Sequence, residues 1–154
     1  MPRLSKRALK VTLPTKIDPM RSRTMRAVKS FNTKPELIVR RYLWKNNIRY
    51  RVNAKGLPGK PDIVLHNRKL IIFVHGCFWH GHIGCPNFRL PKTRTEWWDA
   101  KIQRTMSRDA RSEDELIGAG WTVMTVWECQ LKDAMTLPTL IDRIRAIPPR
   151  KPRL

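Results

Sequence analysis

The sequence predicts one α/β domain in which a mixed sheet is flanked by helices. Three observations carry this prediction: apolar residues recur at helical spacing after residue 33, two short apolar runs follow a turn-rich loop, and a long helical segment separates these runs from a further strand. The order helix, three strands, helix, strand, helix contains no internal repeat and fits a single layered domain. With 154 residues and a hydrophobic fraction of 41%, the chain can build one modest core.

The first helix is predicted to begin at Thr33-Lys34-Pro35-Glu36. A threonine cap, a proline in the first turn and a glutamate three residues after the cap together form a capping-box pattern. An apolar face at helical spacing continues until about Asn46-Asn47. Glu36 is also a candidate for a catalytic role, so the capping and the catalytic interpretations both stay open.

Three strands are predicted after this helix. Residues 48–52 alternate as a strand does, and residues 56–61 form a loop rich in glycine and proline. Residues 62–65 and 69–74 are typical of two strands joined through His66-Asn67-Arg68. The second is almost continuously apolar, which predicts a central position in the sheet.

The second half of the chain predicts helix, strand and helix. Residues 95–117 have a helical pattern, and Gly118 and Gly120 are expected to end that helix. Residues 121–127 then form the last strand and residues 137–147 the last helix.

The charge of the chain predicts a polyanionic partner. Lysine and arginine total 32 against 12 acidic residues, a formal net charge of +20. Nucleic acid is the first candidate, and an anionic membrane surface is the weaker one, because the basic residues are spread along the chain and not along one amphipathic helix. Residues 1–19 are predicted to form a flexible basic arm, 20–147 the folded domain and 148–154 a basic, proline-rich tail. Each of these ends could lie on phosphates or stay solvated.

The cysteine count and the hydropathy predict an intracellular protein. Cys77, Cys85 and Cys129 are too few, and odd in number, for a disulfide framework, which favours a reducing compartment with metal ligation or burial. No apolar run approaches the roughly 20 residues of a membrane span, and the start lacks the apolar core of a signal peptide. We therefore expect a soluble, cytoplasmic protein.

One candidate site lies where a turn meets a strand, at Asp62. A carboxylate at the start of an apolar strand faces solvent at the sheet edge, where Mg²⁺ takes one or two carboxylates together with phosphate and water oxygens. Aspartate after proline is more often a simple turn cap. The following strand ends at Val74-His75, and this layout resembles the active-site skeleton of restriction-endonuclease-like nucleases.

A second candidate site follows that strand. Three of the four histidines fall within the eight residues 75–82, beside two cysteines and two aromatic residues. Histidine is both the proton carrier at neutral pH and a common metal ligand, so a cluster of this kind favours chemistry over packing. His82, Cys85 and Cys129 supply three ligands of the kind that zinc prefers, one short of a tetrahedral set.

These motifs together resemble the very-short-patch-repair (Vsr) DNA mismatch endonucleases. The resemblance covers about residues 18–133, in order. It rests on the strings Leu57-Pro58-Gly59-Lys60-Pro61-Asp62, Gly76-Cys77-Phe78-Trp79-His80, Met25-Arg26-Ala27, Pro91-Lys92-Thr93-Arg94-Thr95-Glu96-Trp97-Trp98, Gly120-Trp121 and Val126-Trp127-Glu128-Cys129.

The resemblance implies a restriction-endonuclease-like fold and a catalytic set. Asp62 would bind catalytic Mg²⁺, and the backbone carbonyl of Val74 would complete that site. His75 and His80 match the catalytic pair: His80, supported by Glu36, would help to activate the attacking water, and His75 would assist near the scissile phosphate.

The resemblance also implies a structural zinc ion. The matching ligands are His82, Cys85, Asp109 and Cys129, which leaves Cys77 as a buried thiol.

DNA contacts follow from the same resemblance. Phe78, Trp79 and Trp98 match aromatic residues that enter the duplex beside the mismatch, where opening a base step costs roughly a few kcal/mol and less at a mismatch. Trp97 is expected in the core. Residues 21–29 resemble a segment along the DNA groove, with Arg21, Arg23 and Arg26 as candidate DNA-binding residues.

The predicted function is nicking of one strand 5′ to the thymine of a T:G mismatch, the lesion left by deamination of 5-methylcytosine. The expected companions are a cytosine-5 DNA methyltransferase and, as a physical partner, MutL; the expected state is a monomer in the bacterial cytoplasm at the nucleoid. Two alternatives are a nuclease of the same fold without mismatch preference and a non-catalytic zinc-containing DNA-binding module.

Overall fold

The computed structural model of the protein describes residue 28 and residues 30–151. The predicted basic arm, the candidate DNA-binding residues Arg21, Arg23 and Arg26, and the last residues of the predicted tail (152–154) lie outside the described residues. Within the described part the chain is α/β, with a small mixed sheet of three strands flanked by helices. No helix there has both the length and the apolar character that a membrane span requires.

Helix α1 spans Lys34–Lys45, close to the predicted range. Thr33 is the N-cap, and its hydroxyl oxygen accepts a hydrogen bond from the backbone N–H of Glu36 at 3.4 Å. The helix ends at Asn46, whose side chain donates to the carbonyl of Tyr42.

The predicted strand at residues 48–52 is wrong. This segment makes only one isolated bridge, in which the N–H and C=O groups of Arg51 and Val64 exchange hydrogen bonds of 2.8 and 2.9 Å. The backbone then turns at Asn53, which has a φ of 52°. A left-handed residue bends the chain after the bridge, and on the other side of the bridge β1 gives way to the 3₁₀ turn, so the ladder continues in neither direction.

The sheet consists of β1 (Ile63–Leu65), β2 (Leu70–His75) and β3 (Thr122–Trp127), in that spatial order. A short 3₁₀ turn, His66–Arg68, connects β1 to β2, which pair antiparallel. Strand β3 pairs parallel with β2 after a helical crossover, so the sheet is mixed and β2 is central, as the sequence predicts.

Helix α2 (Thr95–Gly118) is that crossover, and helix α3 (Thr136–Ala146) ends the fold after a 3₁₀ segment at Glu128–Lys132. Gly118 belongs to α2 and does not end it. The end comes at Ala119, whose carbonyl accepts a hydrogen bond from Lys69 Nζ at 2.7 Å, and at Gly120, whose φ is 81°.

The two faces of the sheet pack against different helices. Because side chains alternate along a strand, Leu70 and Ile72 of β2 point to one face and Ile71 and Phe73 to the other. The first face belongs to a core that includes α1 and α3 residues, and the second packs against Leu116 of α2.

The parallel pairing brings the ends of β2 and β3 together. His75 is the register partner of Trp127, so the loop after β2 and the 3₁₀ segment after β3 start side by side. Antiparallel pairing brings the start of β1 to the same end, which therefore gathers Asp62, His75 and Trp127.

Candidate active site

Asp62 lies at the start of β1 and is tied to the end of β2. Its Oδ2 accepts a hydrogen bond of 2.7 Å from the backbone N–H of Val74. Burial raises the pKa of Asp62 from 3.8 to about 6, since the Val74 hydrogen bond lowers it only in part and the nearby carboxylate of Glu36 raises it further. A half-buried carboxylate with a second carboxylate nearby is an arrangement that a cation stabilises.

Glu36 is buried beside this site, with 3% of its surface exposed. Its carboxylate accepts hydrogen bonds from the backbone N–H of Asn32 and the hydroxyl of Thr33, both at 2.9 Å, and from Arg40 Nη2 at 3.0 Å. This is a variant of the predicted capping box, because the carboxylate takes the N–H of Asn32 and not that of the cap residue.

Arg40 joins Glu36 to Asp62. Its guanidinium donates to Glu36, to Asn32 Oδ1 at 2.6 Å and to the backbone carbonyl of Asp62 at 3.3 Å. The residue is 7% exposed, and its Nε has no hydrogen-bond partner among the described residues. Sequence reasoning missed Arg40, although its position four residues after Glu36 is the spacing of a helical ion pair.

The two predicted catalytic histidines form a stacked pair. The ring centroids of His75 and His80 are 3.8 Å apart and the planes differ by 1°. His80 Nδ1 lies 2.6 Å from Asp109 Oδ2. An ionised carboxylate can only accept, so this bond places the proton on Nδ1 and leaves Nε2 of neutral His80 as a free acceptor.

The prediction that Glu36 supports His80 differs from the observed geometry. Within residues 30–151, the hydrogen bonds of Glu36 go to Asn32, Thr33 and Arg40, and the carboxylate on His80 is that of Asp109. Burial alone would raise the pKa of Asp109, but the hydrogen bond from His80 and the charges of His80, His75 and Arg108 outweigh it and bring that pKa below its ordinary value.

His75 is neutral at physiological pH. Burial lowers its pKa to about 4, and repulsion by His80 adds to the effect. A histidine of this kind is a weak base, whereas the bond to Asp109 leaves Nε2 of His80 in place as an acceptor.

The loop after β2 packs closely against α2. The N–H groups of His80 and His82 donate to the carbonyls of Gly76 and Cys77, which folds the loop back on itself. Gly81 has a φ of 64°, and a Cβ there would lie 2.6 Å from the sulfur of Met106 and 2.8 Å from Ile102. Glycine is therefore required where the loop contacts the helix.

A second cluster consists of Cys77, His82, Cys85 and Cys129, whose ligand atoms all lie within 4.8 Å of one another. Tetrahedral zinc with bonds of about 2.3 Å needs ligand sulfurs about 3.8 Å apart, which these residues can provide. His82 Nδ1 lies 3.4 Å from Cys129 Sγ. Burial and the two neighbouring sulfurs raise the pKa of Cys129 to about 11, a repulsion that a bound cation would relieve.

Two details of the predicted zinc set differ in the structure. Asp109, predicted as a ligand, is held by the hydrogen bond to His80 and is not part of this cluster. Cys77, predicted as an isolated buried thiol, is buried but lies with the other three ligands. Cys77 is the second residue after β2, and its carbonyl accepts the N–H of His82 at 2.9 Å, so the fold of the loop brings Cys77 and His82 together.

The predicted intercalating residues form one cluster of aromatic rings. The ring centroid of Phe78 lies 5.0 Å from that of Trp79 and 5.4 Å from that of Trp98, in edge-on contacts. Trp97 also contacts Trp98, at 4.9 Å, but it is 38% exposed, so the expectation that it lies in the core is wrong. Lys101 Nζ lies 5.1–5.7 Å from the rings of Trp79, Trp97 and Trp98.

Comparison with known proteins identifies relatives of this chain. A family model described as DNA mismatch endonuclease Vsr matches residues 16–86. A type II nicking enzyme, V.XorIIP of Xanthomonas oryzae pv. oryzae, is 47% identical over 133 residues, which cover 86% of this chain and 95% of that protein. The DNA mismatch endonuclease Vsr of Escherichia coli is 40% identical over 126 residues, or 80% of each chain. The chain belongs to the Vsr family of endonucleases.

Proposed function

We propose that this protein nicks one strand of duplex DNA on the 5′ side of the thymine in a T:G mismatch and leaves a 5′-phosphate. The single observation that carries this proposal is that Asp62 and the unit of His75, His80 and Asp109 meet at one end of the sheet. A metal-binding carboxylate and a proton acceptor at one place are what phosphodiester hydrolysis requires. The core of the domain is inferred to be restriction-endonuclease-like.

Mg²⁺ is the proposed catalytic ion, held by Asp62 and by the carbonyl of Val74. The fit rests on two features: the pKa of Asp62 is raised by burial and by Glu36, and the N–H of Val74 points at this carboxylate. The N–H and C=O of one strand residue point to the same side, so the Val74 carbonyl faces the side of Asp62 as well. A bound divalent cation supplies electrostatic stabilisation of the charge on the reacting phosphate.

His80 is the proposed general base. Asp109 orients its ring, and Nε2 takes the proton from the water that attacks phosphorus as the bond to the 3′-oxygen breaks. Neutral His75 assists beside the phosphate, and Arg40 and Glu36 hold Asp62 in place. In this proposal Glu36 acts on the carboxylate site and not on His80.

Zn²⁺ is the proposed structural ion, held by Cys77, His82, Cys85 and Cys129. The four side chains fit a tetrahedral site, and the thiol repulsion at Cys129 supports a cation there. Its contribution is to hold the loop that carries His80.

The aromatic cluster of Phe78, Trp79 and Trp98 is the proposed element that opens the mismatched step. These rings lie on the same loop as His80 and on the start of α2, so an opened base step would bring the backbone to the catalytic histidines. Arg21, Arg23 and Arg26 are proposed phosphate or groove contacts. The formal net charge of +20 supports DNA as the partner.

The proposed setting is the bacterial cytoplasm at the nucleoid, where the protein acts as a monomer. The lesion implies a cytosine-5 DNA methyltransferase in the same cell, and MutL is the proposed physical partner.

The test is a nicking assay with Mg²⁺ on matched and T:G-mismatched duplexes, labelled separately on each strand. A single cut beside the mismatched thymine, lost with chelator and in Asp62→Ala, is the expected result. Equal cutting of both duplexes would instead identify a nuclease without mismatch preference. Binding without cutting in any sequence context would indicate a non-catalytic DNA-binding module.

A further inference from the structure

Trp127 lies between the Cys/His cluster and the catalytic histidines. Its ring stacks on His82 with centroids 4.1 Å apart and planes that differ by 5°. It also meets His75 in an edge-on contact, with centroids 5.3 Å apart and planes at 73°. The indole is therefore in contact with one member of each cluster.

The His82 side of this contact is fixed when a metal is bound. His82 Nδ1 faces the sulfur of Cys129, so this nitrogen is the ligand atom. A metal bond to a ring nitrogen lies close to the plane of the imidazole and so restricts the orientation of the ring. A parallel neighbour at 4.1 Å has to follow that orientation, because tilting the indole would bring the two rings into steric overlap.

The His75 side has no anchor of its own. Within residues 30–151, no hydrogen bond reaches the His75 ring, and its contacts are with the rings of Phe73, His80 and Trp127. His80, which stacks on His75, is held by Asp109 and bounds one face of the His75 ring. The orientation of His75 therefore depends on packing, and the indole of Trp127 closes one side of that packing.

The backbone of Trp127 is held in place, so the position of the indole depends on its side-chain torsions and on its ring contacts. It pairs with His75 in the parallel ladder, and its N–H donates to Gln130 Oε1 at 2.9 Å. Trp127 belongs to neither of the two hydrophobic core clusters. Its contacts with His82 and His75 thus account for its position better than core packing does.

We propose that Trp127 is a positioning residue that couples metal occupancy of the Cys/His cluster to the orientation of the catalytic His75. This inference rests on the proposed function for the role of His75 and on the proposed metal for the cluster. When the cluster loses its metal, the His82 ring is released and the indole of Trp127 gains freedom to tilt. His75 then loses its fixed contact with the indole. Metal content then controls the catalytic centre without any change in the core of the sheet.

The experiment compares wild type with Trp127→Leu, Trp127→Phe and a matched control, Trp121→Phe. Trp121 also makes an edge-on contact with a histidine, His66, at 5.6 Å, but lies at the start of β3 away from both clusters. Each protein is loaded with Zn²⁺, its metal content is measured, and kcat and KM for nicking of a T:G duplex are determined. Ring spectra of ¹⁵N-histidine-labelled protein are recorded before and after chelation, with the four histidines assigned by single substitutions.

With full metal content and a retained fold, Trp127→Leu is expected to lower kcat by about 10- to 100-fold at unchanged KM, because a misplaced group costs rate and not substrate affinity. Trp127→Phe should recover part of the rate, and Trp121→Phe should match wild type. In wild type the His75 ring signals should move on chelation. In Trp127→Leu they should differ from wild type at the outset and respond little.

The inference is overturned if Trp127→Leu nicks at the wild-type rate, if Trp127→Phe recovers nothing, or if the His75 signals of Trp127→Leu respond to chelation as those of wild type do. If wild type cuts no duplex, the proposed function fails, and the ring spectra alone still decide whether the two clusters are coupled. Should Trp127→Leu fail to fold, Trp127→Met, which also lacks a ring, replaces it and is judged by the same outcomes.

Discussion

Replacing Asp62 by asparagine should abolish nicking and, at neutral pH without divalent metal, make the protein more stable. The carboxylate at this position is half-buried, and its pKa is raised from 3.8 to about 6. A raised pKa means that the folded state disfavours the ionised form, so ionised Asp62 costs stability above that pKa. Asparagine removes this charge and keeps an oxygen that can accept the N–H of Val74.

The magnitude follows from the two pKa values. The interval from 3.8 to about 6 corresponds to at most about 3 kcal/mol, and because Asp62 is only half-buried, solvent screening reduces it to about 1–2 kcal/mol. For a domain of this size, 1 kcal/mol moves Tm by about 4 °C. We therefore expect Asp62→Asn to melt about 4–8 °C above wild type at pH 8 in the presence of a chelator.

The pH dependence gives the sign of the effect. A group with a raised folded pKa contributes stability that is present below its unfolded value, 3.8, and is lost as pH rises to about 6. The gain in Asp62→Asn should therefore vanish near pH 4. His75 acts in the opposite direction, because its pKa is lowered from 6.5 to about 4 and its contribution is lost as pH falls through that range. The difference between variant and wild type cancels the contribution of His75, since Asp62 is not among the groups that shift the pKa of His75.

The assay is thermal unfolding from pH 4 to pH 8, with and without Mg²⁺ or Mn²⁺. Asp114→Asn is the matched control, because it removes the same charge from an exposed position on α2. Divalent metal should stabilise wild type and leave Asp62→Asn unchanged. A Tm for Asp62→Asn at or below that of wild type at pH 8, or a gain that persists at pH 4, would refute the reasoning.

Three further predictions concern the groups around Asp62 and the Cys/His cluster. Arg40→Met should lower the free energy of unfolding in urea by about 3–5 kcal/mol, because it leaves the carboxylate of Glu36 buried and without its cation. Adding Glu36→Gln should restore part of the loss. A cost below about 1 kcal/mol would mean that the pair is not buried in solution. Asp109→Asn should reduce kcat about 100-fold at unchanged KM, measured by nicking kinetics, and an unchanged kcat would exclude its role on His80. Purified protein should contain one zinc per chain by metal analysis, and its removal should lower Tm; metal-free protein with an unchanged Tm would contradict the assignment.

Much of the fold could be predicted because local pattern and tertiary structure agree. The cap at Thr33, the apolar run of β2 and the long helix before β3 each carry a signal within a few residues. The segment 48–52 carries a strand pattern too, but a strand needs a neighbour to pair with over its length. The left-handed Asn53 withdraws the chain after a single bridge, which residue alternation does not reveal.

The sequence predicts the identity of the site residues more fully than it predicts which of them bond to one another. The motifs identified Asp62, His80 and the cysteines, and these residues lie at one end of the sheet. The choice between Glu36 and Asp109 as the partner of His80 depends on the rotation of α2, which spacing along the chain leaves open. Asp109 bonds to His80, and Cys77 lies with the other ligands of the Cys/His cluster. The sequence alone does not decide which of these two residues is the fourth zinc ligand.

The contacts among Glu36, Arg40 and Asp62 suggest why the site contains several buried charges. Glu36 and Arg40 of α1 lie beside Asp62 at the start of β1. Arg40 bonds the carboxylate of Glu36 but only the backbone carbonyl of Asp62. Two acids share one arginine here, so one negative charge is left without a paired cation among the described residues. Burial is the main cause that raises the pKa of Asp62, and the charge of Glu36 adds to it. If Arg40 bonded both carboxylates equally, the site would be more stable without metal and would bind a divalent cation less well. The buried charge that costs stability at Asp62 is therefore the property that would favour binding of the proposed Mg²⁺.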